Sequence, residues 1–171
     1  HARSLKVIID MVFAHTSDAH AWFADSRASR NSACSDWYVW RDAKSDGSPP
    51  TNWQSVFGGP AWTWDSRRCQ YYMHQFLASQ PQLNVHNRDV QDALLAEARF
   101  WLERGVDGFR LDAINHAMFD PEFRDNPPED STTRKVTRSF DMQKQIHSQN
   151  HGDIPAFLER IRALTDEFDG V

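Results

Sequence analysis

Lys6-Val7-Ile8-Ile9-Asp10 is an unbroken apolar, β-branched run between polar residues. That pattern predicts a strand buried on both faces, as in a parallel sheet, and Met11 to Phe13 extend it. From Thr16 to about His86 no long helical period occurs. The stretch is rich in Trp, Ser, Asp, Gly and Pro, with turn signals at Asp46-Gly47-Ser48-Pro49-Pro50 and Gly58-Gly59-Pro60. Ordinary connections run to about 4–6 residues. One of roughly 70 residues is therefore an inserted subdomain, with a small sheet of its own that includes Gln70-Tyr71-Tyr72-Met73.

Helical spacing returns after His86. Asn87 is the expected N-cap, Asp89 and Asp92 favour the positive end, and Gly105 is the expected C′ stop. Val90, Leu94, Ala98, Trp101 and Leu102 form the apolar face. A strand from Val106 to Asp112 follows. Then comes an irregular, charged stretch with Pro121, Pro127 and Pro128, expected to be mobile. The last helix starts at an Asp153 cap and Pro155, with Phe157, Ile161, Leu164 and Phe168 at helical spacing. Strand, insertion, helix, strand, long loop and helix make two successive β/α units joined by a right-handed crossover. The fold class is α/β.

Bulk properties narrow the function. The 171 residues are 40% hydrophobic and 25% charged, a globular composition. A net charge of −5 argues against a nucleic-acid partner, and no apolar run is long enough for a membrane span. Cys34 and Cys69 make neither a metal-like spacing nor a disulfide framework. They read as unpaired thiols in a reducing compartment, a Cys34–Cys69 bridge staying open. The first residues read as the tail of a helix running into a strand, and the last follow a helix. Both ends therefore read as internal to a longer protein.

The candidate chemistry sits at the strand ends. Arg110 and Asp112 are two residues apart in a strand, so their side chains leave on one face. The fixed positive charge favours the ionised carboxylate, which suits a nucleophile. Parallel α/β folds place their chemistry at such ends. Asp10 and His15 close the first strand. Neighbouring strands are about 4.8 Å apart, so the four groups can meet in one cleft that suits a polar, uncharged substrate. Asp112 can attack or stabilise positive charge, and His15 can hydrogen-bond a hydroxyl. A purely structural ion pair at the sheet edge would give the same spacing.

Six of the seven tryptophans lie in the insertion, where most serve as its core and one or two rings reach the cleft. Phe57, beside Gly58-Gly59, is the better cleft candidate, since glycines permit a sharp turn. His20, His74, His86 and His116 share no metal-site spacing, though His116 lies four residues past Asp112. Glu159, Glu167 and the charged run Glu122 to Asp130 read as solvated.

Taken together, these residues resemble glycoside hydrolase family 13, the α-amylase family, in its bacterial α-glucosidase and oligo-1,6-glucosidase branch. The resemblance rests on Asp10-Met11-Val12-Phe13-Ala14-His15-Thr16-Ser17 and on Trp37-Tyr38-Val39-Trp40-Arg41-Asp42. It continues through Pro49-Pro50-Thr51-Asn52-Trp53, Phe57-Gly58-Gly59 and Gln80-Pro81-Gln82-Leu83-Asn84. Its last stretch is Gly105-Val106-Asp107-Gly108-Phe109-Arg110-Leu111-Asp112.

The resemblance implies part of a (β/α)8 TIM barrel, from about strand 3 to helix 4, with an inserted domain B. Residues 1–15 are then the strand 3 region, 16–86 domain B, and 87–171 helix 3, strand 4, a long loop and helix 4. It implies that Asp112 is the catalytic nucleophile, that Arg110 orients it, and that Asp10 and His15 lie at the substrate, the histidine contacting the sugar; Phe57 and His116 stand beside them as candidate substrate contacts from their positions in the sequence. The implied reaction is retaining hydrolysis of terminal α-1,4-linked glucose from maltose-like oligosaccharides or α-glucosides. It proceeds through a covalent glucosyl-enzyme and needs an acid/base carboxyl about 5–5.5 Å away. That glutamate belongs at the end of the fifth strand, after the helix at Ile154 to Phe168. Glu159 and Glu167 occupy the wrong element. The chain is thus expected to be an internal fragment with half a site, inactive alone, and cytoplasmic in its parent.

Departures from the family pattern shape these expectations. Ala14 stands where many members carry a calcium-binding asparagine, so that site is not carried over. No cofactor is expected in this chain, a divalent cation being left to the rest of the parent. Gln82 replaces the usual aspartate and is expected to loosen domain B. Ala113 resembles enzymes that prefer α-1,4 bonds, valine there going with α-1,6 preference. Rival readings are a transglycosylating sucrose or trehalose isomerase type, an oligo-1,6-glucosidase, and a non-catalytic transporter heavy-chain ectodomain. A sugar-binding module built on the tryptophans would leave the Arg110–Asp112 pairing unexplained.

Overall fold

The computed structural model describes residues 1, 3–130 and 136–170. In chain order the elements are β1 (Ile8–Val12), α1 (Ala21–Ala28), β2 (Trp40–Arg41), β3 (Trp62–Asp65), β4 (Gln70–Met73), α2 (Arg88–Leu102), β5 (Gly108–Asp112) and α3 (Ile154–Thr165). Short 3-10 turns lie at Ile114–His116 and Ser139–Met142. β1 and β5 pair in parallel, with Ile8 opposite Gly108, Asp10 opposite Arg110 and Val12 opposite Asp112. One turn of β/α winding therefore separates neighbouring strands, as the sequence order requires.

β1 is buried on one face only, which corrects the expectation of two buried faces. Met11 packs inward, while Ile8 and Val12 are exposed. In a barrel, alternate strands fill the interior in layers, and two strands cannot complete a layer. The inward residues join α2 and α3. Phe13 meets Phe157 edge-on at 5.8 Å, and Val90, Leu94, Ala98 and Leu102 from α2 share the core with Ile161 and Leu164 from α3. Trp101, expected on the apolar face, is instead part-exposed at the helix end.

Helix ends follow local chemistry. The Asn87 side chain accepts the Asp89 N–H at 2.9 Å, as an N-cap should. At the other end Gly105 donates to the Leu102 carbonyl at 2.9 Å and Val106 to the Trp101 carbonyl at 3.4 Å. That Schellman pattern needs a left-handed C′ residue, which Gly105 supplies with φ +84°. Asp153 precedes α3, yet its side chain makes no capping bond. Phe168 lies beyond the helix and packs against the core from there.

The stretch between β1 and α2 has its own antiparallel sheet, ordered β2-β4-β3, with β4 at Gln70–Met73 in the centre. It also contains α1, which the sequence reading missed because eight residues give too few turns to show a period. His20 caps this helix through the Trp22 N–H. The buried Arg68 side chain ties the pieces together, donating to Gln70 Oε1 at 2.8 Å and to the Ser35 carbonyl at 2.8 Å. Trp53, Trp62, Met73 and Phe119 form a second core, whereas Trp64 is exposed.

The described part of the loop after β5 is not a free, solvated run, contrary to expectation. Asn126 is buried; its N–H donates to Asn52 Oδ1 at 2.9 Å and its amide to Ser148 Oγ at 3.0 Å. The Asn52 amide returns a bond to the Asn126 carbonyl at 2.8 Å, and Trp53 Nε1 donates to the Arg124 carbonyl at 2.8 Å. Amide side chains meet the loop's backbone groups where a regular ladder would, and so hold it to the insertion.

Candidate active site

The parallel register sets Asp10 beside Arg110, and the two-residue period sets Asp112 on the same face. Arg110 Nη1 donates to both oxygens of Asp10, at 3.0 and 2.9 Å, and is ion-paired with Asp112 Oδ1. One guanidinium thus bridges two carboxylates from adjacent strands, which a fixed planar cation does well. Hydrogen bonding to Asp10, with the charges of Asp10 and Asp112, holds the Arg110 pKa above its ordinary value. The bridge to Asp10 was not expected from the sequence; only the parallel register reveals it.

Two histidine rings stand near Asp112, and its charge raises the proton affinity of both. The wider effect is burial, which pushes the His15 pKa down and that of His116 down to about 4. His116 is therefore a neutral imidazole at pH 7. It is held at both ends. Its Nδ1 donates to Gln75 Oε1, while its own carbonyl accepts from Gln75 Nε2 at 3.0 Å and Gln82 Nε2 at 2.9 Å. Its Nε2 has no hydrogen-bond partner among the described residues and remains as an acceptor.

His15 Nε2 accepts from the Gln80 amide at 3.0 Å. That amide is oriented because its oxygen accepts the Leu77 N–H at 3.0 Å. The His15 proton then sits on Nδ1, which is buried and unpaired among the described residues. The Phe76 ring stands beside both imidazoles, 5.4 Å from His15 and 5.1 Å from His116, and Phe57 packs on Phe76 at 5.7 Å. Phe57 itself is 65% exposed, so it offers an open aromatic face. Gly58 and Gly59, at φ +104° and +79°, turn the chain after it.

The structure therefore brings Asp10, Arg110 and Asp112 into one cluster and His15, His116 and Phe57 onto one aromatic wall. Gln75, Phe76 and Gln80 complete that wall and were not singled out. The one sequence signal of Gln75 and Phe76 is position, between β4 and the Gln80-Pro81-Gln82 turn to which Gln80 belongs. Gln82 is the residue expected to loosen the insertion. It is fully buried, and its backbone N–H donates to the Met73 carbonyl at 2.9 Å. Its amide supplies a donor to the His116 carbonyl, which an ionised aspartate could not do.

Ala113, directly after Asp112, is left-handed with φ +44°, a conformation that costs a residue with a Cβ about 1–2 kcal/mol. The chain reverses there into the 3-10 turn that carries His116. Elsewhere the structure brings together histidines that share no metal-site spacing in the sequence. His86 and His151 come together with Asp153 at the starts of α2 and α3, 65 positions apart in the chain, a distance at which ligand spacing is invisible.

A parallel α/β chain with an arginine-bridged carboxylate pair at its strand ends, walled by imidazole and aromatic rings, belongs among barrel proteins with a polar site at the strand carboxyl ends. Residues 1–169 match the alpha-amylase catalytic domain, and the chain belongs to the alpha-amylase family. Its fold is part of that family's (β/α)8 barrel.

Among curated relatives, a probable alpha-glucosidase of Rhizobium meliloti is 54% identical over 176 residues, covering 100% of this chain and 32% of the relative. An alpha-glucosidase of Schizosaccharomyces pombe is 46% identical over 99% of this chain and 29% of its own. Among solved structures, the alpha-glucosyl transfer enzyme XgtA superposes with a TM-score of 0.96 at 49% identity, covering 99% of this chain and 33% of that one. The trehalose-6-phosphate hydrolase of Bacillus licheniformis gives 0.87 at 34% identity, over 100% of this chain and 29% of that one. The chain spans about a third of the length of the curated relatives it matches.

Proposed function

We propose that this chain carries the nucleophile half of a retaining α-glucosidase site that removes terminal α-1,4-linked glucose from maltose-like oligosaccharides or α-glucosides. The observation that carries the reading is the Arg110 bridge between Asp10 and Asp112 at the ends of paired parallel strands. Residues 16–86 serve as domain B, whose Phe57 and Phe76 wall the sugar site. Residues 1–15 supply barrel strand 3, and 87–171 run from helix 3 to helix 4.

In the reaction, Asp112 attacks the anomeric carbon as the glycosidic bond breaks. The leaving oxygen takes a proton from an acid carboxyl supplied by the rest of the barrel. Water, deprotonated by that same group, then opens the glucosyl ester and frees Asp112. Arg110 holds Asp112 in line through their ion pair. His116, neutral and fixed by Gln75, offers Nε2 to a sugar hydroxyl, and a hydroxyl at His15 competes with Gln80 for Nε2. The substrate's polar, uncharged character fits a cluster in which the cation is already paired. We place the protein in the cytoplasm, since Cys34 and Cys69 stand as free thiols. No described helix is long and apolar enough to cross a membrane.

The test is Asp112→Asn in the full-length protein, assayed on p-nitrophenyl α-glucoside and maltose. Turnover should fall by several orders of magnitude while the melting temperature holds. Unchanged turnover would reject Asp112 as nucleophile. A second reading, glucosyl transfer to a sugar acceptor, is favoured by the close superposition on a glucosyl transfer enzyme. Product analysis with excess acceptor separates the two, since hydrolysis gives free glucose and transfer gives a new disaccharide.

A further inference from the structure

We propose that His86, His151 and Asp153 form a binding site for a divalent first-row transition metal, with zinc as its probe. One ring nitrogen from each histidine and one oxygen of Asp153 all lie within 4.8 Å of one another. Asp153 Oδ2 is 3.5 Å from His151 Nδ1 and 3.9 Å from His86 Nδ1. Zinc bonds of about 2.0–2.1 Å in tetrahedral geometry set ligand atoms roughly 3.3 Å apart. The two spacings to Asp153 need to close by about 0.2 and 0.6 Å, and the two ring nitrogens, within 4.8 Å of each other, by up to about 1.5 Å, on residues that precede helices.

The hydrogen bonding points the same way. His86 Nε2 lies 2.7 Å from the Phe119 carbonyl, to which it must donate. That bond fixes the tautomer and leaves the lone pair on Nδ1, facing Asp153. A ligating histidine typically carries its other N–H on a carbonyl in this way. His151 Nδ1 accepts the Asp153 backbone N–H at a long 3.3 Å, a weak bond that a metal on this nitrogen would displace. The Asp153 carboxylate makes no helix-capping bond. His86 Nδ1 and the Asp153 carboxylate therefore converge as acceptors beside the His151 ring, an arrangement that a cation satisfies. The positive ends of α2 and α3 oppose a cation. Asp153 offsets this, as does Asp120, whose charge also reaches His86.

Two imidazoles and one carboxylate suit zinc, cobalt or nickel better than calcium, which takes oxygen ligands. Three protein ligands on a half-exposed surface leave a position for water. A bound metal would clamp the start of α2 to the start of α3, as well as to the Phe119 segment. This site is independent of the glucosidase reading, none of whose steps uses these residues.

The experiment is equilibrium dialysis of the full-length, tag-free, chelator-treated protein against micromolar zinc. Wild type is compared with His86→Gln, His151→Gln and Asp153→Asn. Wild type should hold one zinc per chain more than each variant, and its melting temperature should rise with zinc where theirs does not. Cobalt should give visible d–d bands in wild type alone. Equal zinc content in wild type and the variants, or none in wild type, would overturn the proposal. Asp153→Asn decides the matter should a histidine variant fail to fold, because that carboxylate supports no helix cap.

Discussion

Acid should destabilise this protein through His116 specifically. Its folded pKa is about 4, against 6.5 for a free histidine, because burial strips water from the charged form. The groups facing it are Gln75, the Gln82 amide, the Phe76 ring, His15 and Asp112, and of these only Asp112 favours the proton. A depressed histidine pKa means the unfolded chain binds the proton first. Its stabilising contribution is therefore full above about pH 6.5 and disappears as pH falls toward 4. A shift of about 2.5 units corresponds to roughly 3 kcal/mol of stability lost across that window. The perturbation is His116→Gln, which keeps a donor for Gln75 and does not titrate. Urea unfolding of full-length wild type and variant from pH 7 to pH 4 cancels every other titrating group. It is followed by tryptophan fluorescence and circular dichroism, whose coincidence supports two-state treatment. Wild type should lose about 3 kcal/mol more than the variant. Parallel curves would refute the reasoning that burial dominates at His116.

Two substitutions probe other parts of the structure. Trp53→Ala removes a fully buried ring and leaves the Arg124 carbonyl unpaired, so it should cost about 3–5 kcal/mol. A loss under about 1 kcal/mol by thermal unfolding would show that the second core does not depend on it. Ala113→Val puts a branched side chain where φ is +44°, so the full-length protein should melt lower. If Ala113 also sets linkage preference, isomaltose turnover should rise relative to maltose; an unchanged ratio would separate linkage choice from this turn.

The elements that repeat a period were legible in the sequence. α2 announced itself by its apolar face, the Asn87 cap and Gly105, because each is a local signal read within a few residues. β5 was legible too, and with it the shared face of Arg110 and Asp112. What failed were statements that depend on what lies across the fold. The exposure of Ile8 and Val12 follows from how many strands share a barrel interior, which no residue in β1 encodes. The loop after β5 is rich in charge and proline, yet Asn126 is buried because Asn52, 74 positions earlier, supplies its complement. Composition cannot report a partner at that separation.

The same limit explains the site. Spacing along one strand paired Arg110 with Asp112 but left open whether the pair was a mere ion bridge at an edge. The parallel register adds Asp10, and the arginine becomes a shared clamp on two carboxylates. It lies beside two imidazoles kept neutral by burial, one of them pinned by two buried glutamine amides at its carbonyl. Burying those amides and leaving Gln82 Oε1 without a partner among the described residues costs stability, on the order of 1–3 kcal/mol for that acceptor alone. Such expense four residues past Asp112 holds the backbone of His116, and Gln75 Oε1 holds its ring. The chain fixes that ring next to the carboxylate of Asp112, the nucleophile of the proposed reaction.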